Sequence, residues 1–364
     1  APSNVVQTWA GYLTSENFVT NEEGIRKNEG GYFKQGQEPS VLVIEELKDL
    51  EQINGEKYDY ILISQEKLNN RYTKALTEID YDMLIVDEVH KLKNLKEGVR
   101  SNNLVELSEQ LEGDDKYLVM LSGTPIPNKI EDIAIELKLL YPEKFSDIDD
   151  KSLTRQIIKG DVLSLRELLL PRMQRKELGS SFEMPELSEG VQSVVLEGLE
   201  KEIYELLLEE DEINASQKLQ LLRQFLLNPE IIEPTPNFVG AKIEATDEYL
   251  QNEFTQKDKV VMFVNGYIEG VIRGEKSILN RLHLPVGVAV KVIEGNVDPV
   301  DRATIQRELK DSHGKMLLVV SGQTADVGVY FSAGELIYFY NEPWNQAYKD
   351  QQTSSVYREG IKGD

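Results

Sequence analysis

The residues best suited to chemistry in this sequence are two adjacent acids, Asp87 and Glu88, in the stretch YDMLIVDEVHKLKN (81–94). They follow four apolar residues, Met83 to Val86, which predict a buried strand. Ligands of open α/β sheets bind at the carboxyl ends of strands, and a carboxylate pair there can hold Mg²⁺ through water and activate a water for attack on a phosphate. The alternative is a strand that simply ends in solvated acids, because such pairs are common.

Small polar residues follow the next strand pattern, YLVMLSGTPIPN (117–128). The apolar run breaks at Ser122, Gly123, Thr124 and Pro125. Hydroxyl groups at the end of a neighbouring strand can hydrogen-bond an acidic site and contact a phosphate. Taken alone, the same four residues are an ordinary strand-to-helix turn.

Together, DEVH with K-L-K-N and L-S-G-T-P-x-x-N resemble motifs II and III of helicase superfamily 2, in the form typical of Swi/Snf-type DNA-translocating ATPases. Further stretches resemble other parts of that family in the expected order. In the first half they are PSNVVQTW (2–9), YDYILISQEKL (58–68), LKLLYPEKF (137–145), PRMQRKELGSSFEMPEL (171–187) and KLQLLRQFLLNPEII (218–232). In the second half they are VVMFVNGY (260–267), IEGNVDPVDR (293–302), LVVSGQTADVGVYFSAGELIYFYNEPWN (318–345) and DQQTSSVYREG (350–360).

The resemblance implies roles for the residues of the first half. Asp87 would hold the Mg²⁺–ATP complex and would be the metal ligand, and Glu88 would activate the attacking water. His90 would contact the nucleotide site and couple it to the Ser122–Thr124 turn. Thr124 would also lie near the nucleic-acid backbone.

In the second half, the resemblance implies that Arg358 is an arginine finger, which meets the developing charge on the γ-phosphate. Gln351 would help to form the same nucleotide site. The residues expected near the nucleic-acid backbone are Ser321, Gly322, Thr324 and Gly328. The implied function is translocation on double-stranded DNA, driven by ATP hydrolysis between two lobes.

The sequence departs from the family at three places. No G-x-x-x-x-G-K-[ST] loop occurs, although such a loop binds the phosphates of ATP, so we expect it upstream of Ala1. Ser355 stands where the family has the first of two motif VI arginines, and Ala325 and Asp326 stand where motif V has two glycines. These departures keep a second hypothesis open, namely a catalytically inactive two-lobe module that binds nucleic acid or protein.

Strand-like runs alternate with helical patterns and so predict parallel sheets with helices on both faces. The runs are 40–46, 58–64, 82–88, 116–123, 260–266, 286–295, 315–322 and 335–340. The predicted fold class is therefore α/β, with two RecA-like lobes. We expect a first lobe over 1–175 that lacks its phosphate-loop segment, an acidic helical insert and linker over 176–245, and a second lobe over 246–364.

Composition limits the remaining classes of function. The 364 residues include 40 basic and 64 acidic side chains and no cysteine, which excludes disulfides, thiolate nucleophiles and cysteine zinc sites. A net charge of −24 opposes binding to a polyanion, but residues 176–245 alone carry 15 acids against 5 bases. That segment either binds a protein partner or is simply solvated. Without a long apolar run or a signal peptide, we expect a cytoplasmic or nuclear protein that is not secreted and not in a membrane.

Overall fold

The computed structural model divides into two compact units, Ala1–Lys176 and Glu177–Asp364. It describes residues 1–13, 19–20, 25–27, 32–34, 39–54, 57–92, 99–111, 113–124, 126, 129–145, 148, 150–160, 162–175, 186–232, 239–266, 268–295, 297–322 and 330–357. The finer division into lobe, acidic insert and lobe stays a prediction.

Strands of the first unit form three separate sheets in the described residues. They are β1 (Val19–Thr20), β2 (Ile25–Lys27), β3 (Tyr32–Lys34), β4 (Val41–Ile44), β5 (Tyr60–Ile63), β6 (Met83–Val86) and β7 (Tyr117–Met120). Strands β1, β2 and β3 pair antiparallel, whereas β4 pairs with β5 and β6 with β7 in parallel.

Helices connect and cover these strands. The α-helices are α1 (Ser3–Leu13), α2 (Asn70–Leu76), α3 (Val99–Ser108), α4 (Ala134–Leu140), α5 (Pro142–Phe145), α6 (Asp150–Lys159) and α7 (Val162–Leu169). Short 3₁₀ helices span Leu47–Asn54, Gln65–Lys67, Val89–Leu92, Ile130–Ile133 and Leu170–Arg172.

The core of the first unit reaches the end of strand β6. Val86, Val89 and Leu92 are buried and pack in one cluster with Leu104 of α3 and Leu137 of α4. Because β6 and β7 run parallel, the chain between them must cross back over the sheet, and α3 lies in that crossover. The cluster therefore fixes the turn that carries Asp87 and Glu88.

The second unit is built on a parallel sheet of four described strands. The strands are β8 (Lys259–Val264), β9 (Ala289–Ile293), β10 (Met316–Ser321) and β11 (Leu336–Phe339), in the spatial order β11-β8-β10-β9. All six residues of β8 and all six of β10 are buried. This explains why both central strands are nearly continuous apolar runs, since helices cover both faces of a parallel sheet.

The α-helices of the second unit begin with a pair that precedes the sheet in sequence. They are α8 (Gly198–Glu209), α9 (Ala215–Leu227), α10 (Ala241–Glu253), α11 (Ile268–Val271), α12 (Ile278–Arg281), α13 (Pro299–Asp311) and α14 (Gln346–Val356), with a 3₁₀ turn at Pro229–Ile231. Asn214 caps α9 by accepting a hydrogen bond from Gln217 N at 3.0 Å. The hydroxyl of Tyr340 donates to the carbonyl oxygen of Leu227 and so ties the end of α9 to the sheet.

The predicted fold class is confirmed, because the structure combines helices with parallel sheets. Seven of the eight predicted runs contain one of the strands β4 to β11, and the eighth, 260–266, overlaps β8, which begins one residue earlier at Lys259. The antiparallel strands β1, β2 and β3 were not predicted, since strands of two or three residues are too short to show a periodic pattern. In the part of the chain that the structure describes, no helix is long and apolar enough to span a membrane.

Candidate functional site

Asp87 is held from two sides in the first unit. The indole Nε1 of Trp9, on α1, donates to Asp87 Oδ2 at 3.0 Å. The side-chain amide of Gln65, just after β5, donates to the backbone oxygen of Asp87. Carboxylate and backbone are therefore both fixed, while within the described residues no hydrogen bond is made to Oδ1. That oxygen is the one available to a ligand.

Glu88 has a left-handed backbone conformation, with φ of 49°. This region is uncommon for a residue with a side chain and costs on the order of 1–3 kcal/mol. Two hydrogen bonds hold the turn: Val89 N donates to Leu121 O at 3.1 Å, and Lys91 N donates to Glu88 O at 3.0 Å. Such strain concentrates at functional sites, so the conformation marks Glu88 as a candidate.

The Glu88 carboxylate lies in a partly desolvated position beside His90. Burial raises the pKa of Glu88, the charge of Asp87 raises it further, and the ammonium group of Lys91 opposes both. Its buried Oε2 lies 3.2 Å from His90 Nδ1, without the geometry of a hydrogen bond. A raised pKa makes a carboxylate a stronger base and so better suited to accepting a proton.

His90 lies between the acid pair and the turn after β7. Its ring is buried, and Nδ1 lies 2.8 Å from the hydroxyl oxygen of Ser122. The same hydroxyl accepts a hydrogen bond from Thr124 N at 3.1 Å. The structure thus brings Glu88, His90, Ser122 and Thr124 into one connected group, which gives the acid pair a path to the neighbouring strand end.

Among the described residues, the site offers Mg²⁺ one carboxylate, that of Asp87. In the described residues, no group of three or more His, Asp or Glu side chains is placed to hold a metal ion. Mg²⁺ in nucleotide enzymes commonly uses one or two carboxylates together with water and substrate phosphates. Asp87, with Oδ1 available, fits that requirement, whereas Oε2 of Glu88 is buried.

Comparison with known proteins identifies the family. The model of a family described as the SNF2-related domain matches residues 2–232, well over half of the chain. The chain belongs to the SNF2-related domain family.

Curated relatives of this SNF2-related chain are named as helicases or chromatin-remodelling ATPases. It is 32% identical over 174 residues to the chromodomain-helicase-DNA-binding protein 3 homolog of Caenorhabditis elegans, covering 47% of this chain and 9% of that protein. It is 24% identical over 334 residues to the ISWI chromatin-remodeling complex ATPase CHR11 of Arabidopsis thaliana, covering 84% of this chain and 30% of the relative. An ATP-dependent helicase of Mycoplasma pneumoniae is 22% identical over 318 residues, with coverages of 83% and 29%. The chain therefore spans less than a third of each of these relatives.

The ends of β8, β10 and β11 in the second unit of this SNF2-related chain are joined by amides, whereas a buried acid, Glu294, follows β9. Ser321 ends β10 and is buried, and Gly322 follows it. Gln352 of α14 donates from Nε2 to Asn265 Oδ1 at 2.7 Å and lies 3.4 Å from the oxygen of Gly322. A Cβ atom on Gly322 would lie only 1.8 Å from Asn265 Oδ1. Only glycine fits there.

Asn265 and Asn341 complete this group, which we call the amide cluster (Asn265, Gly322, Asn341 and Gln352). Asn265 N donates to Asn341 Oδ1 at 2.8 Å, and Asn341 Nδ2 donates to Asn265 O at 2.7 Å. These bonds join the ends of β8 and β11. Sequence reasoning did not single out the three amides, although Asn265 lies inside the predicted run 260–266 and Asn341 directly follows the predicted run 335–340.

Of the remaining predicted site residues of the second unit, the structure describes only Gln351. Gln351 is half-buried on α14, whereas its neighbour Gln352 is fully buried. Thr324, Gly328 and Arg358 lie outside the described residues. Ser355 is buried, and its hydroxyl donates to Gln352 O at 2.7 Å.

Proposed function

We propose that this SNF2-related chain is part of an ATPase of helicase superfamily 2 that couples ATP hydrolysis to movement along double-stranded DNA. The observation that carries the proposal is the strained turn at Glu88, linked through His90 to Ser122 and Thr124. The family match and the helicase and ATPase names of the relatives support the same reading.

In this proposal Asp87 holds the Mg²⁺–ATP complex through Oδ1, while Trp9 and Gln65 fix its orientation. The bound metal neutralises charge on the phosphates. Glu88 accepts a proton from the attacking water, which its raised pKa favours. His90, next to Glu88 Oε2 and Ser122, sets the position of that carboxylate.

DNA is the proposed nucleic-acid ligand, and the end of β10 in the second unit is proposed to lie near its backbone. Ser321 is buried, so its hydroxyl is not exposed to a phosphate, and Gly322 is buried and has no side chain. Their proposed role is to position the chain near the DNA backbone and not to bind it. Thr124, half-buried at the end of the Ser122 turn, has the corresponding role in the first unit.

The decisive test is DNA-stimulated ATP hydrolysis by the intact protein and its Glu88→Gln variant. Loss of a general base lowers turnover by about 10²–10⁴-fold, and we expect ATP binding to persist because Asp87 is retained. Glu106→Gln, an exposed acid on α3, is the matched control and keeps full turnover. Unchanged turnover in Glu88→Gln would remove Glu88 from its assigned role.

Movement along DNA needs a separate measurement. We expect ATP-dependent displacement of a triplex-forming oligonucleotide from a DNA duplex by the intact protein. ATP hydrolysis that duplex DNA stimulates without any displacement would reject translocation while leaving the ATPase assignment in place.

One observation favours a second candidate, a nucleic-acid-binding or protein-interaction module without catalysis. At the place of the first motif VI arginine, the structure has a buried serine, Ser355, which is 6% exposed and bonded to Gln352 O. A wild-type protein that binds duplex DNA equally with and without ATP, and hydrolyses none, would establish this candidate and reject the ATPase.

A further inference from the structure

A groove in the second unit borders the amide cluster at Asn341 and is lined by none of the residues assigned to ATP. It lies between α8, α9, the start of α10 and the segment after β11, and it encloses about 400 Å³. Its wall includes Tyr204, Leu219, Leu222, Arg223, Lys242 and Trp344. We call it the Trp344 groove.

Two cations in the Trp344 groove stand over aromatic rings. The guanidinium carbon of Arg223 lies 4.1 Å from the centre of the Trp344 ring, and Lys242 Nζ lies 4.9 Å from the centre of the Tyr340 ring. Arg223 also donates to the backbone oxygen of Glu342. These contacts orient both positive groups and leave the Trp344 side chain 71% exposed.

The groove lacks an anion for Lys242. Within the described residues, no carboxylate forms an ion pair with Lys242. Two acids near the groove have other partners: Glu200 Oε2 accepts a hydrogen bond from Ala241 N at 2.8 Å, and Glu342 pairs with Lys349 at 2.7 Å. Burial, together with the charge of Arg223, lowers the pKa of Lys242 to about 8. An anion placed beside the ammonium group would favour its charged form and so offset the desolvation.

Most of the remaining wall is apolar, and the one carboxylate among its described lining residues, that of Glu342, pairs with Lys349, so a ligand with an uncharged body is favoured over a polyanion. Leu219 is half-exposed and Leu222 is buried, and they face the groove with Tyr204 and Trp344. The surrounding segment, residues 176–245, carries 15 acids against 5 bases and therefore repels a ligand with many negative charges. A single charge at the end of a ring avoids most of that repulsion.

We propose that the Trp344 groove binds a small amphipathic anion, an aromatic ring that carries one carboxylate or phosphate group. The anionic group lies at Arg223 and Lys242, and the ring packs against Leu219, Leu222 and Trp344. The proposal does not depend on ATP hydrolysis.

Calorimetry on the intact protein tests it with 2-naphthoate, 1-naphthyl phosphate and the neutral 2-naphthamide. We expect at least one of the anions to bind at least tenfold more tightly than the amide, and the stronger of the two identifies the anionic group. Lys242→Gln lowers anion affinity by about tenfold or more, because a charge-assisted hydrogen bond is lost, and leaves the amide unaffected. Lys242→Arg keeps the preference for anions, and Lys201→Gln, an exposed lysine of α8, is the matched control.

The place of binding is read from Trp344 itself. The chain has two tryptophans, so Trp9→Phe leaves Trp344 as the single site for a 5-fluorotryptophan label. We expect its ¹⁹F resonance to shift with the anion and to shift less in Lys242→Gln. Equal affinity for naphthoate, naphthyl phosphate and naphthamide, an unmoved resonance, or binding of a DNA duplex but of neither small anion would each overturn the proposal.

Discussion

The ends of β6 and β7 in the first unit differ chemically from the ends of β8, β10 and β11 in the second. In the first unit, the ends of β6 and β7 carry acids, an imidazole and a hydroxyl, with Asp87 half-exposed. In the second unit, the ends of β8, β10 and β11 are joined by the neutral, buried amide cluster. Groups that titrate can exchange protons with a substrate, whereas buried amides that bond one another can only hold backbone in place. This difference supports the proposal that the first unit carries the chemistry and that the amide cluster of the second holds backbone in place.

A convenient property allows each unit to be followed separately. Trp9 belongs to the first unit and Trp344 to the second, and the chain has no other tryptophan. Urea unfolding monitored by fluorescence in Trp344→Phe therefore reports the first unit, and in Trp9→Phe it reports the second. The predictions on stability below use these two backgrounds.

The largest expected effect on stability is that of Gly322→Ala. The added methyl group meets Asn265 Oδ1, so either the Asn265–Gln352 bond breaks or the chain shifts. We expect the second unit to lose about 3 kcal/mol, with the first unchanged. Gly314→Ala is the control, since its Cβ would have no atom within 4 Å. An unchanged second-unit midpoint in Gly322→Ala would show that the amide cluster is not rigid.

Replacing Glu136 on α4 is expected to have a smaller effect on stability, and to raise it. Both carboxylate oxygens are buried and, in the described part of the chain, have no hydrogen-bond partner. Burial raises the pKa of Glu136 to about 8; the backbone N–H of Glu136 itself, which falls short of hydrogen-bond geometry, opposes the rise, and the charge of Asp132 adds to it. The folded state thus keeps a proton that the unfolded state releases near pH 4.5, so first-unit stability falls as pH rises from there to about 8.

Glu136→Leu should remove that pH dependence. We expect it to stabilise the first unit by about 2 kcal/mol at pH 8 and by less at pH 5, because the ionised carboxylate no longer needs to be desolvated. Glu143→Leu, an exposed acid on α5, should change neither value. A gain that is the same at both pH values would mean that only apolar packing had improved. A second unit that followed the same pH dependence would weaken the contrast between the units.

The smallest expected effect is that of Trp9→Phe. It removes the hydrogen bond to Asp87 Oδ2 and retains most of the ring. We therefore expect the interaction that orients Asp87 to weaken by about 1 kcal/mol. DNA-stimulated ATP turnover should fall several-fold. Gln7→Ala, which removes an exposed bond from the same helix to Glu45, should leave turnover unchanged. Full activity in Trp9→Phe would show that Gln65 alone is enough to orient Asp87.

Much of the first-unit site could be predicted from the sequence, because one apolar run of four residues is followed directly by Asp87 and a second run ends close to Ser122. Parallel neighbours bring such ends together, and the structure places His90 between them. The left-handed conformation of Glu88 and its partly buried carboxylate depend on the packing of the turn, which no local pattern encodes. The contact from Trp9 joins residues 78 positions apart and is equally invisible to periodicity.

The second unit shows the opposite limit. The strands β8 to β11 could be predicted from apolar runs, but the inward-facing residue of α14 could not. Gln351 and Gln352 are adjacent and chemically identical, and only the path of α14 against the sheet decides that Gln352 is buried. Resemblance favoured Gln351, whose contribution to a nucleotide site stays a prediction. Glu136 is a similar case, since an acid within a helical pattern is expected on the solvent side.

The hydrogen bonding between β6 and β7 continues past the last residue of either strand. Leu121 N donates to Val86 O at 2.8 Å, and Val89 N then donates to Leu121 O at 3.1 Å. Both amides belong to connecting segments, yet their exchange with deuterated solvent requires the paired strands to separate and not merely a loop to move. Their protection factors would therefore measure how firmly the acid pair is joined to the serine turn.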